Sequence, residues 1–119
     1  MANKMNVLHI EVASLAESAA RAVTAMQTGK PQGRYLSFET PERLLSTLSG
    51  HRLAVLYALL GGEPVGVREL ARRLGRDVRG VHNDTQRLVA AGVVEKRADG
   101  KLHCAYAEIV CEFSLRQAA

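Results

Sequence analysis

Arginine is concentrated in one short stretch of this sequence. Twelve consecutive residues contain Arg68, Arg72, Arg73, Arg76 and Arg79 against only two acidic side chains. A guanidinium group pairs with phosphate oxygens and, through two parallel hydrogen bonds, with the acceptor edge of guanine. The stretch therefore indicates either a surface that meets a polyanion or a solvated helix face, and the fold decides between the two.

A second set of polar side chains follows at the spacing of one helix face. Asp77 is suited to cap a helix from Val78 to about Ala91, which Gly92 would end. We expect one face of this helix to be buried, namely Val78, Val81, Thr85, Leu88 and Val89. The outward face carries donors and acceptors that match base edges, and we predict base contacts for Arg79, His82, Asn83 and Gln86.

The basic side chains around that face are suited to phosphates, which carry no sequence information. The predicted phosphate-binding residues are Arg68, Arg72, Arg73, Arg76, Arg87, Lys96, Arg97 and Lys101. Asp84 would repel phosphate, so we expect it to form a local salt bridge with Arg87 or Arg76. Gly80 weakens a helix interior, and close approach to DNA or to another helix would explain it.

Two further helices are needed to position these side chains. Leu70, Ala71 and Leu74 form the apolar face of a short helix, and Gly75 can end it in the left-handed conformation. A third helix, from about Gly50 to Leu60 with Ser49 as its cap, would support both, since two short helices cannot bury their faces alone. Its predicted buried side is Leu53, Leu56, Tyr57 and Leu60. Two helices that are joined by a tight turn and packed on a third form the helix-turn-helix arrangement.

A β-hairpin is predicted after the third helix of this unit. Asp99-Gly100 is a strong signal for a two-residue turn, because both central residues of that turn need a positive φ. This turn would place Ala98 opposite Lys101, Lys96 opposite His103 and Val94 opposite Ala105. Lys96, Lys101 and His103 would then share a basic outer face, while the opposite face carries Val93, Cys104 and Tyr106 toward the core.

The order of these elements and several of their residues resemble a known family. The run Leu70-Ala71-Arg72-Arg73-Leu74-Gly75, with Val81, Leu88 and Gly92-Val93-Val94, resembles the winged helix-turn-helix transcriptional regulators of the multiple-antibiotic-resistance regulator class. The run Gly75-Arg76-Asp77-Val78, with Val81-His82 and Asp84, is similar to a narrower group of small DNA-binding proteins often encoded beside toxins. The resemblance implies a winged helix that binds double-stranded DNA as a transcriptional regulator, a repressor or the autoregulating antitoxin of a toxin partner. Arg76 and Thr85 depart from the broader pattern.

The segments outside this unit predict an N-terminal extension. Residues 7–12 alternate as a strand, and Ser14 with Glu17 forms a capping box for a helix over 15–28. The apolar residues of that helix lie on one face and are mostly small, so we expect close packing on another element. A loop over 29–33, a short strand at 35–38 and a helix from Pro41 to Leu48 follow.

The C-terminal segment alternates between apolar and polar side chains. The apolar positions are Ala107, Ile109, Cys111, Phe113 and Leu115. A helix would also fit part of this pattern, but we predict a strand that pairs with residues 7–12, because neither strand could leave its amide groups unpaired. The predicted fold class is α+β, with a dimerisation extension over 1–48, the winged helix-turn-helix over 49–106, and a C-terminal strand and tail over 107–119 that packs on the extension.

Composition bounds the remaining classes of function. Apolar residues make up 47% of the 119 residues, charged residues 24%, and the net charge is +4. No signal peptide, membrane span, phosphate-binding glycine loop or metal-ligand spacing is visible. We therefore predict a cytoplasmic, non-catalytic protein without cofactor or metal. The helix-turn-helix predicts binding to double-stranded DNA, and the N-terminal extension predicts a homodimer.

The sequence is compatible with two other functions. The winged helix could serve as a scaffold whose arginine face meets an acidic protein instead of DNA. Cys104 and Cys111 could form a redox or ligand sensor, although we expect both to be core residues that cannot bond to each other.

Overall fold

A three-stranded sheet and a group of short helices build the chain in a computed structural model that describes residues 6–29, 34–48 and 50–118. Residues 30–33 of the predicted loop and the predicted cap Ser49 lie outside the described residues. The elements are β1 (Val7–Val12), α1 (Leu15–Thr28), β2 (Arg34–Phe38), α2 (Pro41–Leu48), α3 (His51–Leu59), α4 (Val67–Leu74), α5 (Val78–Ala91), β3 (Glu95–Lys96), β4 (Leu102–His103) and β5 (Glu108–Glu112). Over the described ranges the fold class is α+β, as predicted.

The sheet joins the two ends of the described chain. Its strand order is β2-β1-β5, and β1 runs parallel to both neighbours, with Ile10 opposite Leu36 and Cys111. Leu8 and Ile10 are buried, whereas His9 and Glu11, which alternate with them, are only partly covered. The sheet therefore has one apolar face toward the helices and one polar face, and the predicted pairing of the C-terminal strand with residues 7–12 is confirmed.

Helix α1 lies against the polar face and is held there by polar contacts. Ser14 caps it by accepting a hydrogen bond from the Glu17 N–H at 3.1 Å, as the capping box predicts. Arg21 forms a 2.5 Å salt bridge with Glu11, and its guanidinium lies 3.9 Å from the centre of the Tyr35 ring. No residue of α1 is buried, so the expected close packing of its apolar face is wrong for the described chain. The reason is that α1 faces polar side chains of the sheet.

The core lies between the apolar sheet face and helices α2 to α5. Its fully buried side chains include Ile10 from the sheet, Leu59 from α3, Leu70 from α4, and Val81 and Leu88 from α5. Helix α5 contacts α2, α3 and α4, so its orientation is fixed by three other helices.

The buried side of α3 differs from the prediction. Val55, Leu56 and Leu59 are buried, whereas Leu53 is about half exposed and Tyr57 is 81% exposed. Two overlapping stripes exist on this helix, and the one that faces the core begins with Arg52 rather than Leu53. An arginine is tolerated there because it forms a salt bridge with Asp84 of α5.

The hairpin formed by β3 and β4 is fastened at its base to the segment between α3 and α4. Val65 exchanges backbone hydrogen bonds of 2.8 and 2.9 Å with Leu102, and the Gly61 N–H donates to the Cys104 carbonyl at 3.1 Å. Val94 and Cys104 are buried beneath this junction. The hairpin is therefore positioned by the same core that positions α5.

Candidate nucleic-acid interface

A three-residue turn, Gly75 to Asp77, sets the relation between α4 and α5. Gly75 ends α4 with a φ of +64°, a conformation that costs glycine little. The Asp77 carboxylate caps α5 by accepting the Gly80 N–H at 2.9 Å. Both features match the prediction, and they hold the first turn of α5 at the surface.

The first turn of α5 is more exposed than the sequence indicates. Val78 is 37% exposed, so the expectation that it is buried is wrong. Burial begins one turn later, at Val81. Thr85 is buried despite its hydroxyl, which donates to the His82 carbonyl at 2.8 Å and leaves its methyl group for packing.

The predicted base-contacting residues share the outward side of α5. Arg79, His82, Asn83 and Gln86 are all exposed. The Nε2 atoms of His82 and Gln86 lie 3.1 Å apart, one helical turn from each other. Arg79 and Asn83 are likewise four positions apart, so this face, which we call the reading face, presents two adjacent pairs of hydrogen-bonding side chains.

A shallow groove separates the reading face from the hairpin. It has a volume of about 160 Å³ and is lined by His82 and Gln86 on one side and by Lys96, Gly100 and Leu102 on the other. The hairpin thus lies beside the reading face, whose polar side chains are exposed.

The hairpin register differs from the prediction by one residue. Glu95 lies opposite His103 and Lys96 opposite Leu102, and the Arg97 N–H donates to the Lys101 carbonyl at 2.8 Å. The turn has three residues because only Gly100 has a positive φ, +86°, whereas Asp99 does not adopt the positive φ that a two-residue turn needs. Lys96 is therefore on the opposite face from Lys101 and His103, and the expected shared basic face is wrong.

Two arginines of α4 are paired with one glutamate. Arg72 donates to Glu69 at 2.8 Å through Nε and by a second hydrogen bond through Nη2, and Arg73 Nε lies 3.2 Å from the same carboxylate. The hydrogen bonds from Arg72, with a smaller contribution from Arg73, lower the pKa of Glu69 to about 2. Above that pH the three side chains together carry a single positive charge. Arg68, Arg87, Lys96, Arg97 and Lys101 are exposed and form no ion pair with another described residue.

Arg76 is engaged inside the protein. Its Nη2 atom lies 2.9 Å from Asp84 Oδ2, and the two side chains are 20% and 14% exposed. The expected salt bridge of Asp84 with Arg76 or Arg87 is thus confirmed for Arg76. A contact of Arg76 with phosphate stays a prediction, and it would compete with Asp84.

Arg52 is a residue that the sequence interpretation missed. It binds Asp84 Oδ1 at 3.3 Å through Nη1, the Thr47 carbonyl at 2.6 Å through Nε, and the Ser46 carbonyl through Nη2. A basic residue in the first turn of a helix opposes the helix dipole. That unfavourable position was a signal that Arg52 has a specific partner.

The glycine at position 80 is explained by neighbouring side chains, and not by DNA or by another helix. A Cβ atom built there would lie 3.1 Å from Asp77 Oδ1 and 3.2 Å from Arg76 Nη2. Glycine leaves room for the capping carboxylate and for the guanidinium that reaches Asp84.

The cysteines differ from each other in exposure. Cys104 is buried as expected, whereas Cys111 on β5 is exposed, so its assignment to the core is wrong. Burial raises the pKa of both thiols. In the described ranges no group of three or more His, Cys, Asp or Glu side chains could hold a metal ion, and no helix has the length and hydropathy to cross a membrane.

Comparison with known proteins gives one family match. A model of the family HVO_A0114 matches residues 47–111, which include α3 to α5, the hairpin and most of β5. No curated protein matches the chain.

Proposed function

The chain belongs to the HVO_A0114 family, and we propose that it is a sequence-specific DNA-binding transcriptional regulator. In this proposal α3, α4, α5 and the hairpin form a winged helix-turn-helix, with α5 as the helix that enters the major groove. The observation that carries the proposal is the reading face, four exposed base-matching side chains on a helix that three other helices hold in place.

The dimensions and chemistry of B-form DNA fit this surface. The major groove admits one α-helix and presents a distinct donor and acceptor pattern for each base pair. Arg79 can pair with guanine through two hydrogen bonds, and Asn83 or Gln86 can do so with adenine. The hairpin, across the groove from His82, would lie along the adjacent phosphates.

The exposed basic side chains would supply the affinity that does not depend on sequence. Arg68 lies at the start of α4, Arg87 on α5, and Lys96, Arg97 and Lys101 on the hairpin. Each phosphate that such a group neutralises releases counterions, so binding should weaken steeply with salt. Arg72 and Arg73 would contribute less than two full charges, because they share Glu69.

The family resemblance and the composition support four further features of this regulator. These are action as a repressor, the role of an autoregulating antitoxin with a toxin partner, a cytoplasmic location and the absence of catalysis. An autoregulating antitoxin would have its regulated site close to its own gene.

The test begins with selection of a preferred site from randomised DNA duplexes. Asn83→Ala or Arg79→Ala should weaken binding to that site by roughly 1–3 kcal/mol and relax the preference at one base pair. Competition binding with the selected and a scrambled duplex, at several salt concentrations, measures both effects.

The phosphate-binding residues should respond differently. Lys101→Ala or Arg68→Ala should weaken binding to all duplexes alike and flatten the salt dependence. Arg43→Ala on α2 removes the same charge away from the reading face and serves as the control. If Arg79→Ala and Asn83→Ala leave the ratio of specific to non-specific affinity unchanged, α5 does not read bases. If no duplex binds at low salt, the protein-interaction alternative replaces DNA binding.

A further inference from the structure

Strand β5 has an unpaired outer edge in the described chain. It is the last strand of the order β2-β1-β5, and no other described strand pairs with it. An edge strand presents a row of free N–H and C=O groups that can pair with another chain. Its outer edge is therefore a surface on which a further strand can add.

The apolar alternation of this segment continues beyond the strand. β5 ends at Glu112, whereas the apolar row runs on through Phe113 and Leu115. Leu115 is 83% exposed and Phe113 is also exposed. These two residues of the row thus lie beyond the end of the strand and are exposed within the described chain.

An apolar groove lies along the same edge, on the sheet face that carries this row. It has a volume of about 220 Å³ and is lined by residues of α3 and β5 that include Leu53, Tyr57, Ile109 and Cys111. The Tyr57 ring stands almost entirely in solvent above it. The unpaired edge and the unfilled groove are therefore one continuous surface.

We propose that a second copy of this chain occupies this surface, with its β5 antiparallel to the first across a two-fold axis at Cys111. Such an axis is perpendicular to the sheet, so residues of one sheet face pair with residues of the same face. In this register Ile109 pairs with Phe113 of the second copy, Ala107 with Leu115, and Cys111 with Cys111. The two sheets become one six-stranded sheet, and the apolar row closes over the groove.

Charge selects this register over its neighbours. An axis at Val110 would place Glu108 opposite Glu112 of the second copy, and an axis at Glu112 would place two Glu112 side chains opposite each other. Like charges directly opposite each other destabilise a strand pair. The axis at Cys111 places Glu112 opposite Val110 and Glu108 opposite Ser114. An axis at Ile109 would leave Phe113 and Leu115 unpaired.

The first experiment measures mass. We expect light scattering at micromolar protein to give the mass of two chains, and Leu115→Asp to give the mass of one. Leu15→Asp on α1 is the matched control, because Leu15 is 81% exposed and lies on the other face of the sheet. A monomeric wild type, or a dimer that Leu15→Asp dissociates and Leu115→Asp does not, overturns the proposal. Circular dichroism of each variant shows that it has folded.

The second experiment tests the register. Directly opposite residues of antiparallel strands have Cα atoms about 4.5–5.5 Å apart, within the range a disulfide spans. Mild oxidation should therefore link two wild-type chains through Cys111, and Cys111→Ser should abolish the link. Val110→Cys in the Cys111→Ser background should not form it, whereas a link there, and none in the wild type, would place the axis at Val110 and overturn the register. Neither experiment uses DNA, so its outcome is independent of the proposed function.

Discussion

Asp84 connects three parts of the structure through one carboxylate. Arg52 approaches it from α3 at 3.3 Å and Arg76 from the α4–α5 turn at 2.9 Å. Arg52 also binds two carbonyl groups at the C-terminal end of α2. The orientation of α5 relative to the remaining helices therefore depends on an ionic contact as well as on apolar packing.

Asp84→Asn should destabilise the protein by about 1–3 kcal/mol, because two largely buried guanidinium groups would lose their counter-charge. The free energy of unfolding in urea measures the effect. Asp99→Asn is the control: its carboxylate accepts the Lys101 N–H in the exposed hairpin turn at 3.0 Å, and an amide oxygen can replace it. Equal stability of the Asp84→Asn and Asp99→Asn proteins would show that the network does not stabilise the fold.

At the scale of elements, the hairpin depends on the conformation of one residue. Gly100 has a φ of +86°, and a Cβ atom built there meets nothing within 4 Å. A side chain at this position would thus be strained by its backbone and not by contacts. The positive φ of Gly100, together with the absence of one at Asp99, gives the three-residue turn and the separation of Lys96 from Lys101.

Gly100→Ala should cost about 1–2 kcal/mol, the usual penalty for a left-handed conformation in a residue with a side chain. Thermal or urea unfolding measures it, with Gly62→Ala as the control. Gly62 has no positive φ, and its added Cβ would lie 3.5 Å from the Leu59 carbonyl, an ordinary contact. A Gly100→Ala protein as stable as the Gly62→Ala protein would mean that the turn tolerates another geometry.

Local signals in the sequence predict the helices and strands well, because caps and glycine stops act within a few residues. Ser14, Gly75 and Asp77 each have the role that their position indicates. The errors concern which face of an element is buried. On α3 an all-apolar stripe through Tyr57 competes with one led by Arg52, and only the position of Asp84, far away in sequence, decides between them.

In the candidate site, too, features within one element could be predicted, whereas contacts between elements could not. The spacing along α5 is sufficient to place its outward side chains together, since a helix repeats at a fixed period. The outer face of the hairpin could not be predicted, because Asp-Gly fits both a two-residue and a three-residue turn. The two turns differ by one residue in register, and a shift of one residue moves side chains of one strand to the other face. The engagement of Arg76 and the space it needs over Gly80 depend on tertiary contacts alone.

For the whole molecule, a dimer through β5 would determine the symmetry of the complex with DNA. Two copies related by a two-fold axis present two reading faces, so the selected site should be a palindrome with half-sites about one helical turn apart or a multiple of it. We expect two chains per duplex in a titration monitored by sedimentation. Leu115→Asp should retain binding to a single half-site but lose the gain in affinity that the second half-site gives the wild type. A selected site without symmetry, bound by one chain, would contradict this prediction.

The parallel pairing of β1 with β5 also has a consequence for how the chain folds. Their paired residues, such as Val7 and Glu108, lie almost the full described chain apart, whereas α3, α4 and α5, which contact one another, follow in succession within residues 51–91. Contacts between distant residues form slowly, because closing a long loop is entropically unfavourable. During synthesis the helices can therefore assemble before β5 has left the ribosome. Until then, one edge of β1 remains unpaired. We therefore expect the pairing of β1 with β5 to complete the sheet, and a chain interrupted before residue 108 to leave one edge of β1 unpaired.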